Sequence, residues 1–273
     1  MVVTFKDDLD LDKIAESGQC FRWQKKEENT WQIVTGKELL YAKKVESGQY
    51  DFDCTETAYK TVWKNYFDMQ QNYSEIRSMI SPKRDFFLYQ AAEYGKGIRI
   101  LRQDPWEMLI SFIISQRKSI PAIKTAIDKL CELAGDPITG KNGKMIYTFP
   151  NPKQMTALSK DQLAACGLGY RTAYIWEAAR RVANEEIDLK EINRLDDKAL
   201  LEKLSELYGV GIKVANCTML FGFHRLNSFP KDVWINRVLE HEYAEGYPFE
   251  QYSPYNGVMQ QYMFFYYRVN KEM

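Results

Sequence analysis

The sequence predicts an α+β protein: an N-terminal antiparallel β-sheet domain with helices, followed by a mostly α-helical domain. Before residue 80, short aromatic or β-branched runs alternate with polar turns, which is typical of an antiparallel sheet. From about Lys83 onward, apolar residues recur at helical spacing behind capping residues. We therefore place a sheet domain over residues 1–98 and a helical domain over residues 99–273.

In the first domain, residues 2–5 predict a strand and residues 11–16 a short helix. Further strands are predicted over residues 21–23, 31–34, 39–42 and 50–52, and helices over 56–66 and 73–79. In the second domain, helix starts are predicted at the following caps: Asp104, Ser119, Asn151, Ser159 and Asp196. Helices are also expected over 171–184 and 257–269.

Cysteine spacing, the lengths of the apolar runs and the net charge limit the classes of protein to which this chain can belong. The five cysteines are odd in number and scattered, which excludes a disulfide framework and any zinc or iron–sulfur site with short ligand spacing. We find no signal peptide and no apolar run long enough to span a membrane, so we expect a cytoplasmic protein. The formal charge of zero argues mildly against a nucleic-acid binder, although it permits a local basic face.

The turn at Gly209-Val210-Gly211 is the feature around which the helical domain is organised. Leu200, Leu204 and Leu207 recur at helical spacing before it, and an amphipathic run follows it, so we expect a helix-hairpin-helix. Glycine permits a positive φ and a close backbone approach. The second helix begins with unpaired N–H groups and the positive end of its dipole, which together suit a phosphate. The pattern indicates a clamp for a DNA backbone.

Two residues make this clamp a candidate enzyme. Lys213 lies in the first turn of the second helix, where the positive helix end disfavours a further cation and favours the neutral, nucleophilic amine. Asp232 precedes another helical run, and as an N-cap it would be held ionised by backbone N–H groups. Such a carboxylate would stabilise the positive charge that develops on a sugar as its base departs. Taken singly, Lys213 is more often a phosphate contact and Asp232 an ordinary cap.

The ordered set of hairpin, Lys213 and Phe229-Pro230-Lys231-Asp232 resembles the helix-hairpin-helix/Gly-Pro-Asp superfamily of DNA glycosylases, in its lysine-bearing branch. Flanking segments resemble 8-oxoguanine DNA glycosylases along nearly the whole chain. These segments are residues 17–23 (SGQCFRW), 101–105 (LRQDP) and 167–171 (GLGYR). The resemblance implies removal of 8-oxoguanine from duplex DNA by attack of Lys213 on C1′, with a β-elimination lyase step at the abasic site.

The resemblance also implies the binding residues. A flipped base would meet the carbonyl of Gly18, stack between Cys217 and Phe264, and be read by the amide of Gln260. Read without the family, Gly18 is a turn glycine, Cys217 and Phe264 are core residues, and Gln260 is a surface amide. DNA contacts fall on Arg117, Tyr170, Arg171, Gly209, Gly211, Val214 and Trp234. No cofactor or catalytic metal is implied, while a monovalent cation at Gly209 and Gly211 would be compatible with the hairpin.

Three positions depart from the family pattern. Arg117 stands where a gap-filling asparagine is usual, and Trp234 replaces a histidine that contacts phosphate. Ala122 replaces a second cytosine-reading arginine of animal and fungal members, so we expect a weaker preference for cytosine opposite the lesion. That replacement, with the short termini, favours a bacterial or archaeal source and association with the nucleoid through DNA.

Two other readings stay open. The chain could act on another lesion, such as a formamidopyrimidine or an alkylated purine, although alkyl-specific relatives usually lack the lysine. It could also be a non-catalytic DNA-binding module, which would need neither Lys213 nor Asp232. The expected partner is double-stranded DNA that contains 8-oxoguanine, with no membrane, and we expect a monomer.

Overall fold

The computed structural model of the chain describes residues 1–271. Five antiparallel strands form one sheet in the spatial order β1-β5-β4-β3-β2. The strands are β1 (Val2–Thr4), β2 (Gln24–Glu27), β3 (Thr30–Thr35), β4 (Glu38–Glu46) and β5 (Gln49–Phe52). In the central pair, Ile33 lies opposite Leu40 and both are fully buried, which fixes the register of the sheet.

The first part of the chain also contains several helices. They are α1 (Leu11–Glu16), α2 (Glu56–Ala58) and α3 (Lys64–Tyr66), joined by a π-helical turn at Tyr59–Trp63, then α4 (Tyr73–Ser78) and α5 (Phe86–Tyr94). The sheet has an apolar core of its own, in which Trp23, Phe52 and Trp63 are buried. Helices α4 and α5, which precede the predicted domain boundary, pack instead into the core of the helical layer.

The strand predicted at residues 21–23 is wrong, because strand pairing begins only at Gln24. Phe21 lies in the helical core, where its ring meets Phe112 edge-on at 5.6 Å, whereas Trp23 lies in the sheet core. Between them, the Arg22 guanidinium lies 3.4 Å from a Glu107 carboxyl oxygen. This segment therefore bridges two cores, and its side chains do not alternate across one sheet.

The second part of the chain is helical, as predicted. Its helices are α6 (Pro105–Ser115), α7 (Ile120–Ala134), α8 (Pro152–Thr156), α9 (Lys160–Leu163), α10 (Arg171–Ala183), α11 (Leu189–Ile192), α12 (Asp197–Ser205), α13 (Ile212–Phe221), α14 (Val233–Glu242), α15 (Phe249–Tyr252) and α16 (Asn256–Lys271). Side chains cap several of them, and Asn151 and Ser159 form capping boxes with Gln154 and Gln162.

One element was not anticipated. A small hairpin, β6 (Pro137–Thr139) and β7 (Met145–Tyr147), interrupts the helical pattern. Its strands have three residues each, too few for a period-two pattern to be read from the sequence. Within residues 1–271, no helix is long and apolar enough to cross a membrane.

A buried polar cluster joins the sheet-bearing part to the helical layer. The fully buried carboxyl of Asp68 accepts hydrogen bonds from Arg102 Nε at 2.7 Å and from the Tyr73 hydroxyl at 2.9 Å. His224 Nε2, from the loop after α13, lies 3.1 Å from the same carboxyl. Because an unpaired buried carboxylate is costly, these partners fix the position of the loop.

Candidate active site

The predicted hairpin is formed by α12 and α13, with Gly209 and Gly211 in the turn. Gly209 has a φ of +81°, so it occupies the left-handed region that favours glycine. Gly211 is the N-cap of α13 and carries no side chain to bond the first N–H groups of that helix. Since these amides lie at an exposed turn, they are available to an anionic ligand.

Lys213, the second residue of α13, is half-buried and reaches back over α6. Its Nζ lies 3.4 Å from Ser115 Oγ and 5.3 Å from the centre of the Phe112 ring. Phe112 itself is stacked on Phe221 at 5.3 Å, so the surface below the amine is aromatic and apolar. The amine is thereby held at the edge of a cavity.

Asp232 is the N-cap of α14, as predicted, and accepts a hydrogen bond from the Ile235 N–H at 2.8 Å. Burial nevertheless raises the pKa of this carboxyl above its ordinary value. The hydrogen bond from Ile235 and the charge of Lys213 act in the opposite direction and limit the rise. The cap is thus confirmed, while partial removal from water opposes the ionisation that the cap favours.

Gly18 and Phe264 lie next to each other in the wall of the cavity. A Cβ at Gly18, where φ is +76°, would come within 3.2 Å of Phe264 Cε1, so only glycine allows this approach without displacement. The Ser17 carbonyl accepts a hydrogen bond from Gln261 Nε2 at 2.9 Å, which ties the loop to α16. Gly18 therefore has the backbone conformation of a turn glycine and also forms part of the cavity wall.

Cys217 and Gln260 form other parts of the wall. Cys217 is buried one turn after Lys213, and burial raises the pKa of its thiol although Lys213 acts to lower it. Gln260 is only 5% exposed, so its reading as a surface amide is wrong. Its Nε2 donates to the Pro230 carbonyl at 3.2 Å, while its buried Oε1 has no hydrogen-bond partner among residues 1–271. A buried acceptor of this kind suits a ligand that donates N–H groups.

Tyr170 and Arg171 lie beside the hairpin but in different environments. The Tyr170 side chain is 53% exposed, so its ring is accessible to a ligand. Arg171, by contrast, is buried. Its guanidinium lies 4.4 Å from the Tyr170 ring and donates to the carbonyl oxygens of Leu168, at 3.2 Å, and Gln116.

The other proposed DNA contacts differ in their exposure. Arg117 is exposed in the loop after α6, with a φ of +50°. Trp234 is half-buried at the cavity, with the Arg237 guanidinium 5.3 Å from its ring. The Val214 side chain is buried in the core, so only its backbone N–H is available to a phosphate.

The predicted catalytic and base-binding residues line a single cavity of about 600 Å³. They are Gly18, Lys213, Cys217, Asp232, Gln260 and Phe264. Ser115, Lys124 and Arg268 also line it, although sequence reasoning gave them no role. No local signal marks these three, because only the packing of α6, α7 and α16 brings them to the cavity.

Comparison with known proteins agrees with this geometry. The family described as 8-oxoguanine DNA glycosylase, N-terminal domain, matches residues 1–109, and the HhH-GPD superfamily of base excision DNA repair proteins matches residues 110–246. A probable N-glycosylase/DNA lyase of Methanothermobacter thermautotrophicus is 33% identical over 195 residues, which cover 64% of this chain. The match spans 61% of that archaeal relative's length.

Two solved structures are similar over nearly the whole chain. One is MBOgg1 in complex with a low-affinity DNA ligand, with a TM-score of 0.93 and 36% identity, covering 99% of this chain and 96% of that one. The other is Clostridium acetobutylicum 8-oxoguanine glycosylase/lyase with double-stranded DNA containing cytosine opposite 8-oxoguanine. Its TM-score is 0.90 with 32% identity, and it covers 99% of this chain and 98% of that one. The resemblance found in the sequence is confirmed: the chain belongs to the HhH-GPD superfamily of base-excision DNA repair proteins, in the 8-oxoguanine DNA glycosylase family.

Proposed function

We propose that this chain removes 8-oxoguanine from duplex DNA and then cleaves the strand at the abasic site by β-elimination. The observation that carries the proposal is that an amine, a carboxyl group, an aromatic ring and a buried, unpartnered acceptor line one cavity. The enzyme acts as a monomer, since one chain supplies all of these groups. It works in the cytoplasm, associated with the nucleoid through DNA.

Base recognition uses the polar atoms of the cavity. Guanine and 8-oxoguanine both present N–H donors on the Watson–Crick edge, which suit the unpartnered Oε1 of Gln260. The two bases differ at N7, where the oxidised base carries a donor and guanine an acceptor, so the carbonyl of Gly18 would favour the lesion. Phe264 and Cys217 replace the stacking that the base loses on leaving the duplex.

The reaction begins with neutral Lys213. Its lone pair attacks C1′, the C1′–N9 bond breaks, and the base leaves with the bonding pair. Asp232 stabilises the positive charge that develops on the sugar. After the sugar ring opens, the bond to Lys213 is an imine, which acidifies C2′. Loss of a proton from C2′ then expels the 3′ phosphate oxygen and nicks the strand.

Residues around the hairpin and at the mouth of the cavity bind the duplex. The N–H groups at Gly211 and Val214 take a phosphate at the positive end of α13, and Gly209 allows the close approach. Tyr170 enters the stack beside the lesion, and Arg117 and Arg171 lie on the side of the unpaired base. Trp234 lines the cavity near the flipped nucleotide.

Borohydride trapping tests the proposal, because it reduces the imine to a stable covalent adduct. Duplexes carrying 8-oxoguanine opposite each of the four bases are compared with undamaged duplex. We expect adducts with lesion DNA only, lost in Lys213→Gln and retained in Lys231→Gln, which removes an exposed amine outside the cavity. The adduct yields with the four opposite bases also test whether the preference for cytosine is weak, as the replacement at Ala122 predicts. An adduct that persists in Lys213→Gln would refute the assignment of Lys213 as the nucleophile. The absence of adducts with every lesion duplex would refute 8-oxoguanine as the substrate.

A further inference from the structure

The cavity holds more positive charge than the proposed chemistry uses. Besides Lys213, three cationic side chains line it: Lys118, Lys124 and Arg268. The acidic side chains that line it are Glu16 and Asp232. Since Asp232 has an assigned role beside Lys213, the other cations need an explanation of their own.

Two of these cations are held by backbone carbonyl groups. Lys118 Nζ donates to the Gly167 oxygen at 2.6 Å, and Arg268 donates to the Glu16 oxygen at 2.5 Å. The Arg268 guanidinium also lies 5.5 Å from the centre of the Phe264 ring. Both side chains therefore contribute to the wall of the cavity and to its shape.

Lys124 differs from them, because its amine makes no hydrogen bond and no ion pair with any residue of 1–271. It is half-buried on α7, one helical turn after Ile120, which also lines the cavity. Asp128, one turn further along, is near enough for its pKa to be affected by the charge, but no ion pair joins the two. A half-buried ammonium without a partner, beside a cavity, favours an anionic ligand.

We propose that Lys124 binds a phosphate of the extruded nucleotide, and that this contact forms only when the nucleotide has left the duplex. The inference rests on the proposed function. A base that enters the cavity carries its sugar and flanking phosphates to the opening, and each phosphate brings a negative charge. Trp234, at the same cavity, offers a single uncharged N–H donor. A lysine ammonium is a compact charge that suits phosphate oxygens.

The test separates binding of a flipped nucleotide from general affinity for DNA. One duplex carries a tetrahydrofuran abasic analogue, which can leave the stack but has no glycosidic bond to attack, and the other is undamaged. Lys124→Met is compared with Lys129→Met, which removes the same charge from an exposed position on α7 outside the cavity. The dissociation constant of each complex is measured over a series of salt concentrations.

For Lys124→Met we expect about tenfold weaker binding of the analogue duplex and a salt dependence that is smaller by about 0.9 in log–log slope. Binding of undamaged duplex should match that of Lys129→Met, and Lys124→Arg should restore the slope. Thermal unfolding of each variant verifies that it is folded, and Lys124→Gln replaces Lys124→Met if that variant is not.

Three results would overturn the inference. In the first, Lys124→Met and Lys129→Met behave alike on the analogue. In the second, Lys124→Met weakens both duplexes equally, which would make Lys124 a general DNA contact. In the third, Lys124→Met excises 8-oxoguanine more slowly but binds the analogue normally, which would show that the Lys124 amine contacts the base and not a phosphate. Borohydride adducts of the wild-type protein distinguish these failures from a failure of the proposed function.

Discussion

The ring of Tyr174 lies directly against Gly209: a Cβ on this glycine would come within 2.2 Å of the Tyr174 ring atoms. Tyr174 also meets Tyr208 edge-on at 4.7 Å and Tyr170 at 5.7 Å. The hairpin turn therefore packs against α10, next to the residue proposed to enter the base stack. Gly209 is needed here for its conformation and for its lack of a side chain.

Gly209→Ala should destabilise the protein by about 2 kcal/mol or more, because it combines a positive φ with overpacking against Tyr174. Urea unfolding measures the change. Gly211→Ala is the matched control, since its φ of −87° is ordinary and no atom lies within 4 Å of the added Cβ. That variant should lose less stability, since alanine is only a poorer N-cap than glycine, and it should lose affinity for duplex DNA. Equal stabilities of the two variants would contradict the role given to the Tyr174 contact.

Gln116 connects α6 to the hairpin, because its Nε2 donates to the Gly209 carbonyl at 3.1 Å and to the Ile113 carbonyl at 3.2 Å. Gln116→Met keeps the volume and removes both donors. We expect a loss of about 1 kcal/mol in unfolding free energy and weaker DNA binding, measured by urea unfolding and fluorescence anisotropy. Gln90→Met, at an exposed position on α5, is the control. Wild-type DNA affinity in Gln116→Met would show that the hairpin does not depend on this contact.

Asp232→Asn should lower the excision rate by about 100-fold while preserving the cap, because asparagine also accepts the Ile235 N–H. Single-turnover assays over a pH series should show the wild-type rate falling as acid protonates Asp232. Since burial raises the pKa of this group, that fall begins at a higher pH than for an ordinary aspartate. The part of the acid limb that belongs to Asp232 should be absent from the variant, and an identical pH profile in both proteins would assign the limb to another group.

The same substitution should raise stability at neutral pH. A carboxyl whose pKa is raised by folding contributes stability below its ordinary value of 3.8, and this contribution is lost as the pH rises through the folded pKa. At neutral pH the carboxyl of the wild-type protein must ionise in a partly buried place, which destabilises the folded state, whereas asparagine does not ionise. The higher stability of Asp232→Asn relative to wild type should therefore disappear in acid. Asp196→Asn, at the exposed N-cap of α12, serves as the control for capping. Lower stability of Asp232→Asn at neutral pH would contradict this reading.

Asp68→Asn should cost about 3 kcal/mol of unfolding free energy, since it leaves Arg102 and His224 without a charged partner. Burial alone would raise the pKa of Asp68, but His224 and Arg102 outweigh it and the pKa lies below the ordinary value. The stabilisation is thus present above pH 3.8 and lost as the pH falls through the lower, folded pKa. Urea unfolding from pH 7 into acid should show the two proteins converging, and a constant difference would exclude this linkage.

Local patterns in the sequence determined most of the secondary structure and the two chemical groups. The hairpin glycines, the position of Lys213 on α13 and the cap at Asp232 follow from interactions within a few residues, so they can be read directly. The strand predicted at residues 21–23 was wrong because the positions of these side chains depend on distant segments of the chain. Phe21 and Trp23 enter different cores, and no local pattern records which core a side chain joins.

The tertiary structure alone decided which residues share the cavity. Gly18, Lys213 and Phe264 lie far apart in the chain and meet only because the loop after α1, helix α13 and helix α16 pack together. Packing also decided that Gln260 and Arg171 are buried and that Lys124 faces the cavity. Burial, pKa and access to a ligand depend on neighbours contributed by distant segments, whereas capping and helical periodicity depend on residues three or four positions away.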